Sequence, residues 1–161
     1  MYGRSNLHVQ LFIGHYTRAM RYPEQLIVPM RQDLTQFGVQ ETKTPAEVDQ
    51  AVKSGTVLMI VNSVCGCAAG KARPAVGMAL ANRNKPEKVA TVFAGADLEA
   101  VARVRELLPG IPPSSPSMAL FQDGKPVFVL HRHQIEMRQA PEIAQILTEA
   151  FDQYCVPAVK Q

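Results

Sequence analysis

Residues 56–80 read TVLMIVNSVCGCAAGKARPAVGMAL, and the fold turns on them. Thr56 to Asn62 is a continuous apolar, β-branched run with no polar alternation. Such a run predicts a strand buried on both faces, as in parallel sheets. Cys65-Gly66-Cys67 follows at once, and Ala68 to Leu80 is Ala-rich and predicts a helix with local weak points at Gly70, Pro74 and Gly77. Cys65 therefore falls between the end of a buried strand and the first turn of a helix.

Working outward, Val89 to Phe93 reads as a second buried strand, and Asp97 as the cap of a helix through Leu108. That helix has an apolar stripe at Leu98, Val101, Val104 and Leu108 and a stop at Gly110. Upstream, Leu26, Ile27, Met30, Leu34 and Phe37 follow helical rhythm from Pro23 to a stop at Gly38, with Pro29 marking a kink or split. Thr44, Pro45 and Glu47 form a capping-box opening for a short helix ending near Gly55. Downstream, the Pro/Ser loop of residues 111–117 leads into Met118–Phe121, Asp123-Gly124 and Val127–Leu130, a hairpin signal with Pro126 suiting an edge strand. Glu142 to Tyr154 predicts a closing helix. The order is helix, helix, strand, helix, strand, helix, strand, strand, helix: one α/β domain with a central mixed β-sheet flanked by helices.

The 161 residues suit one domain over 22–156, with an N-terminal arm over 1–21 and a short tail over 157–161. Apolar residues make up 47%, enough for a core without disulfide staples. The 17 basic and 14 acidic residues are scattered, so no basic stripe points to nucleic acid. The longest clean apolar run, Val57 to Val61, is far too short to cross a membrane. The first residues carry neither the continuous apolar stretch nor the cleavage site of a signal peptide, so the expected compartment is the cytoplasm. There thiols stay reduced, and paired cysteines are usually catalytic or metal-binding. Nothing in the sequence fixes an oligomeric state.

The three cysteines, Cys65, Cys67 and Cys155, are too few for a disulfide framework. A helix N-terminus gathers unpaired N–H groups and positive potential, and both stabilise the thiolate that drives disulfide exchange. Lys71 and Arg73 follow within two turns and add positive charge. Gly66 allows a tight turn and the close approach of a partner backbone. Cys67 is the natural second thiol. A disulfide across one intervening residue closes a strained ring, and strained disulfides are the more oxidising ones. Two other readings stand beside this one. The pair is simple core, or it joins His131 and His133 in a four-ligand metal site, should those histidines share one face of a strand. Cys155, beside Phe151 and Val156, reads as a buried inert thiol, with a third redox role as the alternative.

Two segments together carry a family resemblance: Val61 to Gly70 with Ala72-Arg73-Pro74, and Pro113 to Phe121. Val92-Phe93-Ala94-Gly95 and Arg132 to Glu136 support them. The chain resembles the bacilliredoxins, a family with a thioredoxin-like fold, over roughly residues 22–155. The resemblance implies a single-domain thioredoxin-like fold, in which Pro74 kinks the helix after the active cysteine. It also implies a cis bond between Ser115 and Pro116 facing that cysteine, with Ser115 backbone groups free to pair with an extended substrate. The implied activity is removal of bacillithiol, or a similar low-molecular-weight thiol, from mixed disulfides on S-thiolated client proteins. Cys65 would attack, and Cys67 or a second free thiol would resolve the adduct. No bound cofactor or metal is implied; the small thiol is the co-substrate. The alternatives are a general protein disulfide isomerase and, in a different class, a Cys-based metal-binding protein. The chain departs from thioredoxins in lacking Cys-x-x-Cys and any tryptophan.

Overall fold

A computed structural model describes residues 21–156. The arm and the tail expected at the two ends lie outside these residues, apart from Arg21. The elements are α1 (Glu24–Thr35), β1 (Gln40–Glu41), α2 (Pro45–Val52), β2 (Thr56–Asn62) and a π-turn (Ala68–Ala72) running into α3 (Arg73–Ala79). They continue with β3 (Lys88–Phe93), α4 (Leu98–Glu106), β4 (Ser117–Gln122), β5 (Lys125–Leu130), α5 (Arg132–Glu136) and α6 (Ala140–Tyr154). The sheet order is β1-β3-β2-β4-β5. β1, β3 and β2 run parallel; β4 and β5 are antiparallel to their neighbours.

β2 is central, and every one of its residues is buried. Its side chains feed two apolar layers. Leu58 and Ile60 pack with α3 and α6 through Val76, Ile143 and Leu147. Val57, Met59 and Val61 pack with α2 and α4 through Val48, Val101 and Val104. The sheet is thus covered on both faces, which is why β2 shows no polar alternation.

The short helix α2 starts as expected. Thr44 Oγ1 accepts from the Glu47 N–H at 3.2 Å, while the Glu47 carboxylate accepts from the Lys43 N–H at 2.7 Å, one residue earlier than in the standard box. Asp123 and Gly124, both at positive φ, turn β4 into β5, and Pro126 lies on the edge strand. Pro29 sits inside α1 without splitting it. The weak points of the active-site helix resolve into one device: the Pro74 ring crowds the carbonyl four residues back, and the helix widens into a π-turn there, with the Arg73 N–H donating to the Ala68 carbonyl. Gly77 packs directly under the Phe37 ring, whose far edge lies where a Cβ would sit.

Three expectations change. β1 and α5 were not foreseen; β1 has two residues and α5 five, too few for a periodic pattern to emerge. The segment holding His131 and His133 is the start of α5 and no strand, so the histidines share no strand face; their rings stack on each other, centroids 5.6 Å apart. Asp97 stands at the N-cap of α4 but makes no cap bond. Its carboxylate takes the Arg31 guanidinium in a fork at 2.8 and 2.9 Å and the Phe93 N–H at 3.0 Å.

Arg31 is buried on the helical face where the sequence shows Ile27 and Leu34. It also reaches Glu24 at 2.8 Å and lies over the Phe93 ring. Burial pushes its pKa down, but the Asp97 and Glu24 carboxylates raise it well above the ordinary value, so it stays charged. This pair fastens α1 to the end of β3. Asp97→Ala would leave a buried guanidinium without its main partner and should cost about 3–5 kcal/mol in urea unfolding. A loss below about 1 kcal/mol would mean that α1 is held by its apolar contacts alone.

Candidate active site

Cys65 ends the turn that leaves β2, and Gly66 and Cys67 are already helical. The Asn62 side chain fixes the exit: its amide donates to the Met30 carbonyl at 3.1 Å, and its oxygen accepts the Ser63 N–H at 2.8 Å. The Cys65 carbonyl accepts from the Ala68 and Ala69 N–H groups, so Cys65 is the N-cap residue. Its sulfur serves as the cap acceptor.

Burial pushes the Cys65 thiol up, but other groups more than reverse this. The Ser63 hydroxyl donates to Sγ at 3.1 Å, the Ala68 and Cys67 N–H groups point at it, and Arg132 is nearby; together they hold its pKa below the ordinary cysteine value. Cys67 is shifted the other way. Burial, the negative charge of Cys65 and the Glu136 carboxylate raise its pKa, against a smaller pull from Arg132 and Lys71. Two thiols with one residue between them thus carry opposite charge preferences.

The facing wall is the loop before β4. The Ser115–Pro116 bond is cis, and Pro116 is buried. Register explains the proximity: Ser117 of β4 pairs with Val61 of β2, which brings Pro116 beside the exit of β2. Helix α5 holds this loop. The Arg132 N–H donates to Ser114 Oγ at 3.3 Å, and Arg132 Nη1 donates to the Ser115 carbonyl at 3.1 Å. The Ser115 carbonyl thus already has a partner, which corrects the expectation of free backbone groups at Ser115 for the carbonyl alone. Arg132 also donates to the Glu136 carboxylate at 2.6 Å.

One further expectation shifts: Gly66 has no positive φ, and a Cβ there would meet nothing within 4 Å, so no tight turn demands glycine. Lys71 donates to the Glu136 carbonyl and Arg73 is buried beside Asp33 at 3.2 Å, and both add positive charge as expected, Lys71 at Cys67 and Arg73 at Cys65. Burial lowers the Arg73 pKa, offset in part by Asp33 and Cys65. The cation that acts on both thiols is Arg132, from a helix too short to show in the sequence. Ser63 and Glu136 were likewise assigned no role; a hydroxyl two residues before an N-cap cysteine was the available signal for the first. Cys155 is buried, and its thiol is pushed up by burial despite a bond to Thr56. Among the described residues, no three His, Cys, Asp or Glu side chains converge to hold a metal ion. No helix among them is long and apolar enough to cross a membrane.

A family model described as disulphide isomerase matches residues 22–155. The chain is 56% identical over 140 residues to a bacilliredoxin of Salinibacter ruber, spanning 84% of this chain and 82% of the relative. The chain belongs to the bacilliredoxin family. A bacilliredoxin of Koribacter versatilis is 50% identical over 136 residues, 83% of this chain and 94% of its own length. Among solved structures, the bacilliredoxin chain matches the oxidised thioredoxin of Plasmodium falciparum with TM-score 0.52 and 17% identity, over 73% of this chain and 99% of that one. A thioredoxin of Malassezia sympodialis gives TM-score 0.52 and 16% identity, over 73% of this chain and 91% of that one. The fold is that of thioredoxin, and this bacilliredoxin is a thiol–disulfide oxidoreductase.

The opposite shifts predict two separate alkylation profiles. Cys65 should react with iodoacetamide from a lower pH than Cys67, because only the thiolate reacts. Ser63→Ala should move the Cys65 profile upward and cut its thiolate at neutral pH roughly tenfold, the weight of one hydrogen bond to a charged acceptor. An unchanged profile would remove Ser63 from the site.

Proposed function

We propose that this protein removes bacillithiol, or a similar low-molecular-weight thiol, from mixed disulfides on client proteins. The observation that carries the reading is the Cys65 sulfur acting as a helix cap opposite a cis proline, in a chain of the bacilliredoxin family.

The Cys65 thiolate attacks the small-thiol sulfur of the mixed disulfide. A new S–S bond forms to Cys65, the old one breaks, and the client sulfur leaves as a thiolate that takes a proton from solvent. The client sulfur is reduced and Cys65 is oxidised. Cys67 then displaces the small thiol and closes a disulfide to Cys65, or a second free small thiol does so and leaves as the symmetric disulfide. In the first route, two further small thiols reduce the Cys65–Cys67 bond. The co-substrate is the small thiol itself, with no bound cofactor, which places the reaction in a reducing compartment such as the cytoplasm. Gly66, exposed and with open space around it, lets a client backbone approach the sulfur, and the Ser115–Pro116 ledge flanks it. The name of the matching family model favours one second reading, disulfide isomerisation, in which a client cysteine takes the place of the small thiol.

Intact mass after incubation with a bacillithiol mixed disulfide tests the order of events. Cys67→Ala should accumulate a stable adduct, and Cys65→Ser none; adduct on Cys65→Ser at a similar rate sinks the assignment. Faster reshuffling of a scrambled protein than release of the small thiol would favour isomerisation. Gly66→Ala should unfold no earlier than wild type, since alanine is the better helix former by about 1 kcal/mol, yet should slow transfer from protein clients. Equal transfer rates would leave Gly66 without a function in approach.

A further inference from the structure

Arg73, at the start of α3, is a buried cation with unused donors. It is 2% exposed, and its Nε and Nη1 groups have no hydrogen-bond partner among the described residues. Asp33 Oδ2 lies 3.2 Å from Nη1 but is too poorly aligned for a hydrogen bond, and the Asp33 side chain is half exposed. Buried N–H groups normally find acceptors, so two orphaned donors on one guanidinium call for an occupant.

There is room for one. Arg73 borders a cavity of about 340 Å³ together with Asp33, Gln36, Phe37, Ala69 and Pro74, and it is the only cation in that lining. Gln36 already donates its amide to the Asp33 carbonyl. The cavity belongs to the active-site helix. Ala69, small and exposed, stands four residues from Cys65 and four from Arg73, and positions four apart share a helix face. Roughly 10 Å of helix separates Cys65 from Arg73, and the charge of Cys65 reaches the guanidinium.

We infer that this cavity is the subsite for a carboxylate on the small thiol, held by the Arg73 guanidinium while the thiol's sulfur is at Cys65. The inference rests on the proposed attack by Cys65 on small-thiol mixed disulfides. The attacked sulfur belongs to the small thiol, which stays on Cys65 while the client departs. The small thiol is therefore the partner held long enough beside Cys65 to extend along the helix. A guanidinium presents its donors as a planar fork that matches the two oxygens of a carboxylate. Asp33 is the placeholder that the ligand displaces.

Two pairs of probes test the subsite by charge and reach. The long pair is 6-mercaptohexanoate and its carboxamide; the short pair is mercaptoacetate and its carboxamide. Each is presented as a mixed disulfide with 2-thiopyridine. The Cys65 thiolate bonds to the probe sulfur, the old S–S bond breaks, and 2-thiopyridone leaves reduced, so its absorbance gives the second-order rate constant. In the full chain carrying Cys67→Ala, the long acid should outpace the long amide. Adding Arg73→Gln should cut that acid-to-amide ratio roughly tenfold, the weight of a hydrogen bond to a charged group. The ratio of the short pair should hold, because its carboxylate stays beside the sulfur. Any loss of Cys65 thiolate slows all four probes and leaves both ratios standing. An unmoved long-pair ratio, or an equal fall in both pairs, overturns the inference. Asp33→Asn removes no buried group and frees the guanidinium of its competitor; it should raise the long-pair ratio, and an unmoved or lower one overturns the inference by itself. Transfer of mercaptoacetamide from an acidic client peptide that falls with Arg73→Gln, while the long pair does not respond, would assign the cavity to the client and overturn it too. No 2-thiopyridone release from any probe would overturn the attack by Cys65, and this inference with it.

Discussion

Every residue of β2 is buried, and this constraint shapes everything around it. A strand buried on both faces needs helices on both sides and neighbours along both edges. Here the edges differ. β3 runs parallel to β2 and β4 antiparallel, so the carboxyl end of β2 meets the amino end of β4. Cys65 leaves the first and Pro116 enters the second. The sulfur and the cis proline therefore come together through strand direction alone, though fifty-one positions separate them in the sequence. Sites in α/β sheets gather at such places, where neighbouring connections part in opposite directions.

What the backbone brings together, α5 then charges. This helix of five residues ties the Ser114-Ser115 loop to the π-turn through Arg132 and Lys71. It gives both sulfurs a cation, Arg132, and Cys67 an anion as well, Glu136. The two sulfurs share one strand-to-helix turn and the same dipole, so position alone would favour both thiolates. Their divergence comes from side chains remote in sequence.

That division also marks what could be read beforehand. β2, β3, the hairpin and α6 announce themselves because burial on one or two faces leaves a periodic or continuous apolar pattern. Cys65 was legible for the same reason, since a strand end and a helix start locate it. β1 and α5 were too short to carry any period, and with α5 went Arg132 and Glu136. The N-cap of α5 is His131 with Gln134 three residues on, outside the usual Ser, Thr, Asp and Asn signal. Asp97 was read as a cap, and Arg31 was given no role, because a buried charge is visible only once its partner is known. Rhythm placed Leu26 and Phe37 inward, yet both are exposed, while the intervening Arg31 is buried.

Helix geometry bears on why Glu136 acts on one of the two thiols and not the other. Successive residues of an α-helix advance by about 100°, so positions two apart project roughly 200° from each other. Cys67 is helical, with φ −65° and ψ −33°. Cys65 is the cap, its sulfur bent back onto the N–H groups of the first turn. Cys67 packs against the apolar layer under α6, and Arg132 and Glu136 of α5 act on it. With two residues between them, as in Cys-x-x-Cys, the second side chain would return about 60° short of a full turn and face much the same way as the first. Shortening the spacing by one residue turns it toward a different wall. The chemistry of the second sulfur is then set by whatever that wall carries, and here it carries Glu136.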